Sequence, residues 1–267
     1  MSVTEAVVLL DRPAPHVGRL LINRPDKRNA IDAEVRQALI QGVNTFLSDR
    51  GTRVLVFGGV QGVLSAGGDV STMVGLSEAQ ARERMRHVHS VCRTIANVRL
   101  PVVVAMEGFA AGAAVGLSLL GDRIVAGPGT KILFPFLKLG LTPDWGQMVT
   151  LPRRVGPAVA LRLFTQGKTV GGEEAFRMGL VDELVDDARV METAVQIAQD
   201  MAQLPSEAFA RMKRRLQQPS QTLEEELSRE ESDQAVCLLS DDFKEGFDAF
   251  RNKRPAQFIP ANRTPAS

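Results

Sequence analysis

In the stretch LTPDWG, residues 141–146, one carboxylate stands between a proline and a tryptophan, where a strand-like run gives way to a helix-like one. Asp144 admits two readings. A Pro-Asp pair before a helix is a common turn and cap. A carboxylate beside Phe134, Phe136 and Trp145 would also be desolvated, which raises its pKa toward neutrality and suits it to taking and returning a proton. Two glycine-rich stretches could supply complementary chemistry: GVLSAGGDV (62–70) after the strand-like VLVFGG, and GFAAGAAVGLSLL (108–120) after VVVAME. Small residues let a ligand approach the backbone, and the N–H groups opening a helix are unpaired and partly positive. Two such loops from adjacent strands could aim two N–H groups at one oxygen, which is the geometry of an oxyanion hole. Close packing of strand on helix would use the same glycines. Neither stretch matches the phosphate-loop or dinucleotide spacing.

The elements that must position these groups change along the chain. AVVLLD (6–11) and VGRLLIN (17–23) read as a hairpin pair. Val35, Leu39, Val43, Phe46 and Leu47 fall at helical spacing after Asp32, a plausible N-cap. RVLVFGG (53–59) and PVVVAME (101–107) are short β-branched runs typical of buried strands, and RIVAG (123–127) and TKILF (130–134) are further candidates. Met85, Val88, Cys92 and Ile95 mark one helical face. From Pro157 the pattern is almost wholly helical, interrupted by LVDELV (180–185), with helices expected over 187–203, 206–216, 221–239 and 241–252. The expected fold class is α/β, with a core over 1–200 and a helical segment over 201–267.

Composition excludes several classes. Lys+Arg 32 against Asp+Glu 31 leaves a formal charge of +1, which favours no nucleic acid. The densest basic cluster, RMKRRLQQ (211–218), reads as the solvated side of a helix. Cys92 and Cys237 form neither a metal spacing nor a disulfide framework, which fits a reducing cytosol. The start MSVTEAVVLLDRP lacks the order of a signal peptide, and GFAAGAAVGLSLLG (108–121) is too short to span a bilayer. A cytoplasmic protein with no membrane partner and no metal is expected.

Six segments in order, INRPDKRNAI (22–31), SAGGDV (65–70), AMEGFAAGAAVGLSLLGDRIVAG (105–127), LGLTPDWG (139–146), GEEAFRMGLVDELV (172–185) and EGFDAFRNKRPAQF (245–258), resemble the crotonase superfamily of enoyl-CoA hydratases and isomerases. The resemblance implies a spiral of strand-strand-helix turns, a helical C-terminal trimerisation segment, trimers often paired into hexamers, and an acyl-CoA thioester as substrate. Coenzyme A would then be part of the substrate, with no permanently bound cofactor. It points to the N–H groups of Gly68 and Ala113 as the oxyanion hole, within Ala66, Gly67, Asp69 and Val70 on one side and Phe109 on the other. Lys27, Arg28 and Ala30 match the segment that lies along the coenzyme A nucleotide, and Lys253 matches a C-terminal basic position that reaches its phosphates. Phe136 and Trp145 would line the acyl site.

The acids depart from the hydratase pattern. The two glutamates that hydratases of this family carry align with Gly116 and Phe136. Hydration needs one group to activate water and another to protonate carbon, and neither residue can do either. Some isomerases of the family carry an aspartate where Asp144 stands, and the local sequence looks most like the isomerase of ring-epoxidised phenylacetyl-CoA and 3-enoyl-CoA. The expected activity is a proton shift through a thioester enolate, with Asp144 as the single acid/base. Alternatives are a hydratase using other acids, with Glu78 and Glu83 as candidates, or a silent acyl-CoA-binding or RNA-binding member of the fold. Asp69 is expected to brace its loop, and His87 and His89 are read as structural.

Overall fold

The computed structural model describes residues 6–259; residues 1–5, the first of those read for a leader, lie outside them. Strands β1 (Val8–Ala14) and β2 (Val17–Ile22) form the expected hairpin, pairing Val8 with Ile22. Helix α1 (Ala33–Ser48) begins where Asp32 accepts the Val35 N–H at 3.0 Å. Its Val35, Leu39, Val43 and Phe46 are buried, whereas Leu47 is exposed. Strand β3 (Val54–Gly59) is buried along its whole length. Helix α2 (Glu78–Ala96) starts from a Ser77/Gln80 capping box and packs on α1 through Val88, Val91 and Ile95. Strand β4 (Val102–Met106) follows, and then β5 (Phe109–Ala111), a three-residue strand inside the second glycine-rich stretch that was expected to turn directly into a helix.

Helix α3 (Ala113–Leu119) leads to β6 (Arg123–Ala126) and β7 (Lys131–Leu133). Helices α4 (Gln147–Val155) and α5 (Pro157–Gln166), strand β8 (Val170–Gly171), helix α6 (Gly172–Arg177) and strand β9 (Glu183–Leu184) come next. Helix α7 (Val190–Ala202) covers one face of the main sheet with Val190, Ala194 and Ala198. Helices α8 (Ser206–Gln217), α9 (Leu223–Leu238) and α10 (Asp241–Arg251) close the chain.

The main sheet runs β1-β2-β3-β4-β6-β9, antiparallel at β1/β2 and parallel from β2 onward. A smaller sheet, β5-β7-β8, stands after it. The architecture is the expected α/β arrangement. Because β3 and β4 are parallel neighbours, their carboxyl ends open on one edge, the usual ligand position in such sheets. Both glycine-rich stretches leave from that edge.

One basic expectation is corrected. Within RMKRRLQQ, Lys213 is 4% exposed and donates to Asp122 at 2.7 Å and to the Leu100 carbonyl at 2.9 Å. Arg211 donates to Asp233 at 2.7 Å, and Arg215 pairs with Glu226. Lys213 docks α8 to the sheet and Arg211 and Arg215 tie it to α9, because partners from distant sequence meet them, while Met212, Arg214 and Leu216 keep the exposed side expected of the cluster.

Candidate active site

The two glycine-rich loops are stitched together before any ligand is considered. The Ser65 N–H donates to the Phe109 carbonyl at 3.0 Å, and the Ala111 N–H donates back to the Ser65 carbonyl at 3.2 Å. Gly67 has φ +93°, and a Cβ there would lie 2.4 Å from the Ala111 oxygen; only glycine allows so close an approach. That Cβ position is also 3.6 Å from the Ala113 nitrogen, so the two loops converge on the start of α3. Neither the Gly68 nor the Ala113 N–H donates to an acceptor among the described residues. Two free donors on adjoining loops can hold one developing oxyanion.

The carboxylate faces the same space. A cavity of about 360 Å³ is walled by Gly68, Ala113, Phe136, Asp144 and Trp145 among others, with Ala66, Gly67 and Val70 on the first loop's side. Asp144 does not cap α4: the N-cap is Gly146, with no side-chain cap bond. The Asp144 Oδ1 atom is buried with no hydrogen-bond partner. Burial pushes its pKa up, opposed chiefly by the positive charge of Arg84 and then by its own N–H, His89 and Arg36. A desolvated carboxylate with free oxygen lone pairs is what a proton acceptor near neutral pH requires.

Backbone strain and a buried amide fix its place. Trp145 is 2% exposed and sits at φ +54°, a conformation bulky residues rarely adopt. The Gln147 amide nitrogen donates to the Asp144 and Gly112 carbonyls, both at 3.1 Å, tying the carboxylate's loop to the second glycine loop. Trp145 also decides Gly116. A Cβ at Gly116 would lie 2.3 Å from Trp145 Cβ, so no longer side chain fits there while the indole stays.

Phe136 and Trp145 line the cavity, but Phe134 does not. It is fully buried and packs edge-on against Phe164 at 5.7 Å, as core. Asp69 accepts from the Ser71 hydroxyl at 2.6 Å and N–H at 3.2 Å, as the loop brace expected of it. That hydroxyl bond chiefly holds its pKa down, and the residue stands outside the cavity. Phe109 belongs to β5 and also stands outside the cavity wall. Glu78 and Glu83 are exposed and pair with Arg82 and Arg86 at the surface, both at 2.7 Å, so neither supplies an acid to the cavity.

Lys27 and Arg28 are exposed on a short 3-10 turn, with no ion pair among the described residues. The Arg28 carbonyl accepts the Ala66 N–H at 2.8 Å, which places this basic turn and half-buried Ala30 beside the first glycine loop. The turn is held by Asn29, which is 1% exposed and donates to the Val60 and Val63 carbonyls. Lys253 is exposed just beyond α10 and outside the cavity wall. Burial, and then the charge of Asp144, pushes the Cys92 thiol up to about 12, which keeps it protonated. No group of three His, Cys, Asp or Glu among the described residues is placed to hold a metal.

Two contributors escape sequence reasoning. Arg84 lines the cavity, with its Nη2 atom 3.5 Å from where a Gly68 Cβ would stand. In the run ARERMR it looks like one more member of a salt-bridged helix row. Gln147, wholly buried, carries no local signal except a polar residue directly after the tight turn.

Comparisons with known proteins show the family and the fold. Residues 14–260 match the family described as Enoyl-CoA hydratase/isomerase. The chain is 31% identical to the 1,2-epoxyphenylacetyl-CoA isomerase of Escherichia coli K12, covering 90% of this chain and 93% of that protein. It is also 31% identical to the crotonyl-CoA hydratase of Syntrophomonas wolfei, with the same coverage. The crystal structure of a putative enoyl-CoA hydratase from Streptomyces coelicolor superimposes with a TM-score of 0.89 at 31% identity, over 97% of this chain and 96% of that one. No helix among the described residues is long and apolar enough to cross a membrane. The chain belongs to the enoyl-CoA hydratase/isomerase family, with the crotonase fold.

Proposed function

We propose that this protein is an acyl-CoA isomerase that shifts a proton, and with it a double bond, through a thioester enolate. The observation that carries this reading is the buried, unpartnered Oδ1 of Asp144 in the cavity whose wall also holds Gly68 and Ala113, the residues with the two free N–H groups. The thioester oxygen sits between the Gly68 and Ala113 N–H groups, which stabilise it as negative charge develops. Asp144 removes a proton from one carbon and returns it two carbons away. The two hydratase positions support one acid rather than two, since Gly116 is closed off by Trp145 and Phe136 is apolar. The relatives' names include both isomerase and hydratase, so this choice rests on the site.

Lys27, Arg28 and Ala30 receive the coenzyme A nucleotide, and Lys253 reaches its phosphates, within one subunit or from a neighbour. Coenzyme A enters as part of the substrate, so the reaction needs no resident cofactor. Phe243, Phe247 and Phe250 on α10 are exposed and suit the trimer, or dimer of trimers, expected of a cytoplasmic member of the family.

The test is ultraviolet detection of double-bond movement on 3-enoyl-CoA esters with wild type and Asp144→Asn. Loss of movement with thioester binding retained supports the proposal. Crotonyl-CoA hydration on the order of hundreds per second would instead reveal an acid pair outside this scheme.

A further inference from the structure

Arg36 and Arg84 are two guanidinium groups that form no ion pair among the described residues. Arg36, on α1, is 5% exposed, its Nε is buried without a partner, and its side chain makes no hydrogen bond or ion pair among the described residues. Arg84, on α2, also has a buried, unpartnered Nε, and its one side-chain bond is to Met85 Sδ at 3.7 Å. The adjacent carboxylates are engaged or apart. Asp32 uses one oxygen for the Val35 N–H and the other for Arg24, both at 3.0 Å. Glu34 is exposed and bonds to neither arginine. Burial and then the neighbouring Arg84 lower the pKa of Arg36, outweighing Asp32 and Asp144, which raise it, and burial followed by Arg36 lowers that of His87 against Glu83. Asp144 is the carboxylate whose charge acts on both arginines, with Asp32 acting on Arg36 as well. Yet neither acid is bonded to either guanidinium among the described residues, so two buried Nε donors stand unused, and a buried donor without an acceptor is costly until one arrives.

Arg84 opens on the substrate space, and Arg36 on a cleft beside it. A cleft of about 400 Å³ lined by Arg36, Arg84, Thr72 and Leu76, and also by Asp32 and Glu34 at its α1 side, shares Leu76 and Arg84 with the wall of the Asp144 cavity. Arg84 stands between them, with its Nη2 close to Gly68.

Resting on the thioester reading above, we propose that the acyl chain carries a second carboxylate, received by Arg84 and Arg36 while its thioester lies against Gly68 and Ala113. The substrate class is then the CoA thioesters of dicarboxylic acids. Arginine suits this task because its fixed donors match a carboxylate's two oxygens.

The experiment compares shape-matched pairs by calorimetry: glutaryl-CoA against 5-methylhexanoyl-CoA, and adipoyl-CoA against 6-methylheptanoyl-CoA. An isopropyl end replaces the carboxylate at nearly constant shape. Wild type should bind one or both diacid thioesters about tenfold or more tightly than the partner, the scale of one charge-assisted pair. Arg84→Gln and Arg36→Met should weaken the diacid thioesters about tenfold more than their neutral partners, abolishing that preference. Should Arg36→Met fail to fold, the half-buried Arg84 decides alone. Equal or weaker diacid binding by wild type overturns the proposal. So does an Arg84→Gln protein that weakens both members of a pair alike, because the arginine would then be meeting the coenzyme's own phosphates. Failure of every thioester to bind would overturn the thioester reading itself, and this proposal with it.

Discussion

Asp122 and Asp144 are both aspartates taken largely out of water, and burial is the main force pushing each above the ordinary aspartate range. They differ in what meets them. Asp122 Oδ2 accepts from Lys213 at 2.7 Å and from the Val102 N–H at 2.8 Å, and Lys213 continues to the Leu100 carbonyl. Its charge is consumed in holding α8 to the sheet. Asp144 Oδ1 accepts nothing and opens on a cavity. Burial alone therefore does not mark a reactive acid. Burial with an unused lone pair, in reach of a ligand space, does.

That contrast can be broken from the structural side first. Lys213→Ala leaves Asp122 buried and unpaired, so urea unfolding should show a loss of about 3–5 kcal/mol, with activity per folded molecule retained. A loss well below this would mean that the pair is no dock. Asp144→Asn should do the opposite. Isomerisation should fall about a hundred-fold or more, the scale of general acid–base catalysis, with unfolding midpoints close to wild type. Stability loss as large as that of Lys213→Ala would make Asp144 a structural residue.

Gly116→Ala sharpens the geometry. Its Cβ would meet Trp145 Cβ at 2.3 Å, and overpacking of this kind costs about 1–3 kcal/mol. Because Trp145 adjoins Asp144, turnover should fall along with stability; a variant normal in both would show that the indole is free to move.

The smallest effect is in pH. A carboxyl whose folded pKa is raised binds its proton more tightly when folded, so it favours folding at low pH. That contribution fades as pH rises from the ordinary value of 3.8 through the raised one. Comparing unfolding curves from acid to neutral pH, the Asp144→Asn protein should lack this part of the decline. The wild-type kcat/KM should fall on acidification through the same raised pKa, since only the anion accepts a proton.

Much of this was legible in the sequence because it is carried by local pattern. The β-branched runs became β3 and β4, Asp32 became the cap of α1, and AGGD marked a loop that tolerates no Cβ at Gly67. Long-range pairing was hidden. Lys213 looked solvated until Asp122, 91 residues away, met it. Arg84 is surrounded in sequence by arginines that pair at the surface, and nothing local says that it turns inward. Phe134 and Phe136 are two residues apart, yet one is core and the other lines the cavity, because one directly follows β7 and the other caps the 3-10 turn Leu137–Leu139, with Pro135 between them. Strand β5 is too short to show a period.

The central claim is that Asp144 carries the proton. A 3-enoyl-CoA held by excess enzyme in deuterium oxide, followed by nuclear magnetic resonance, tests it most directly. Wild type should move the double bond and place solvent deuterium at the α- and γ-carbons. Asp144→Asn should bind the same thioester and leave it unmoved and undeuterated. Double-bond movement by Asp144→Asn at near the wild-type rate would contradict the account.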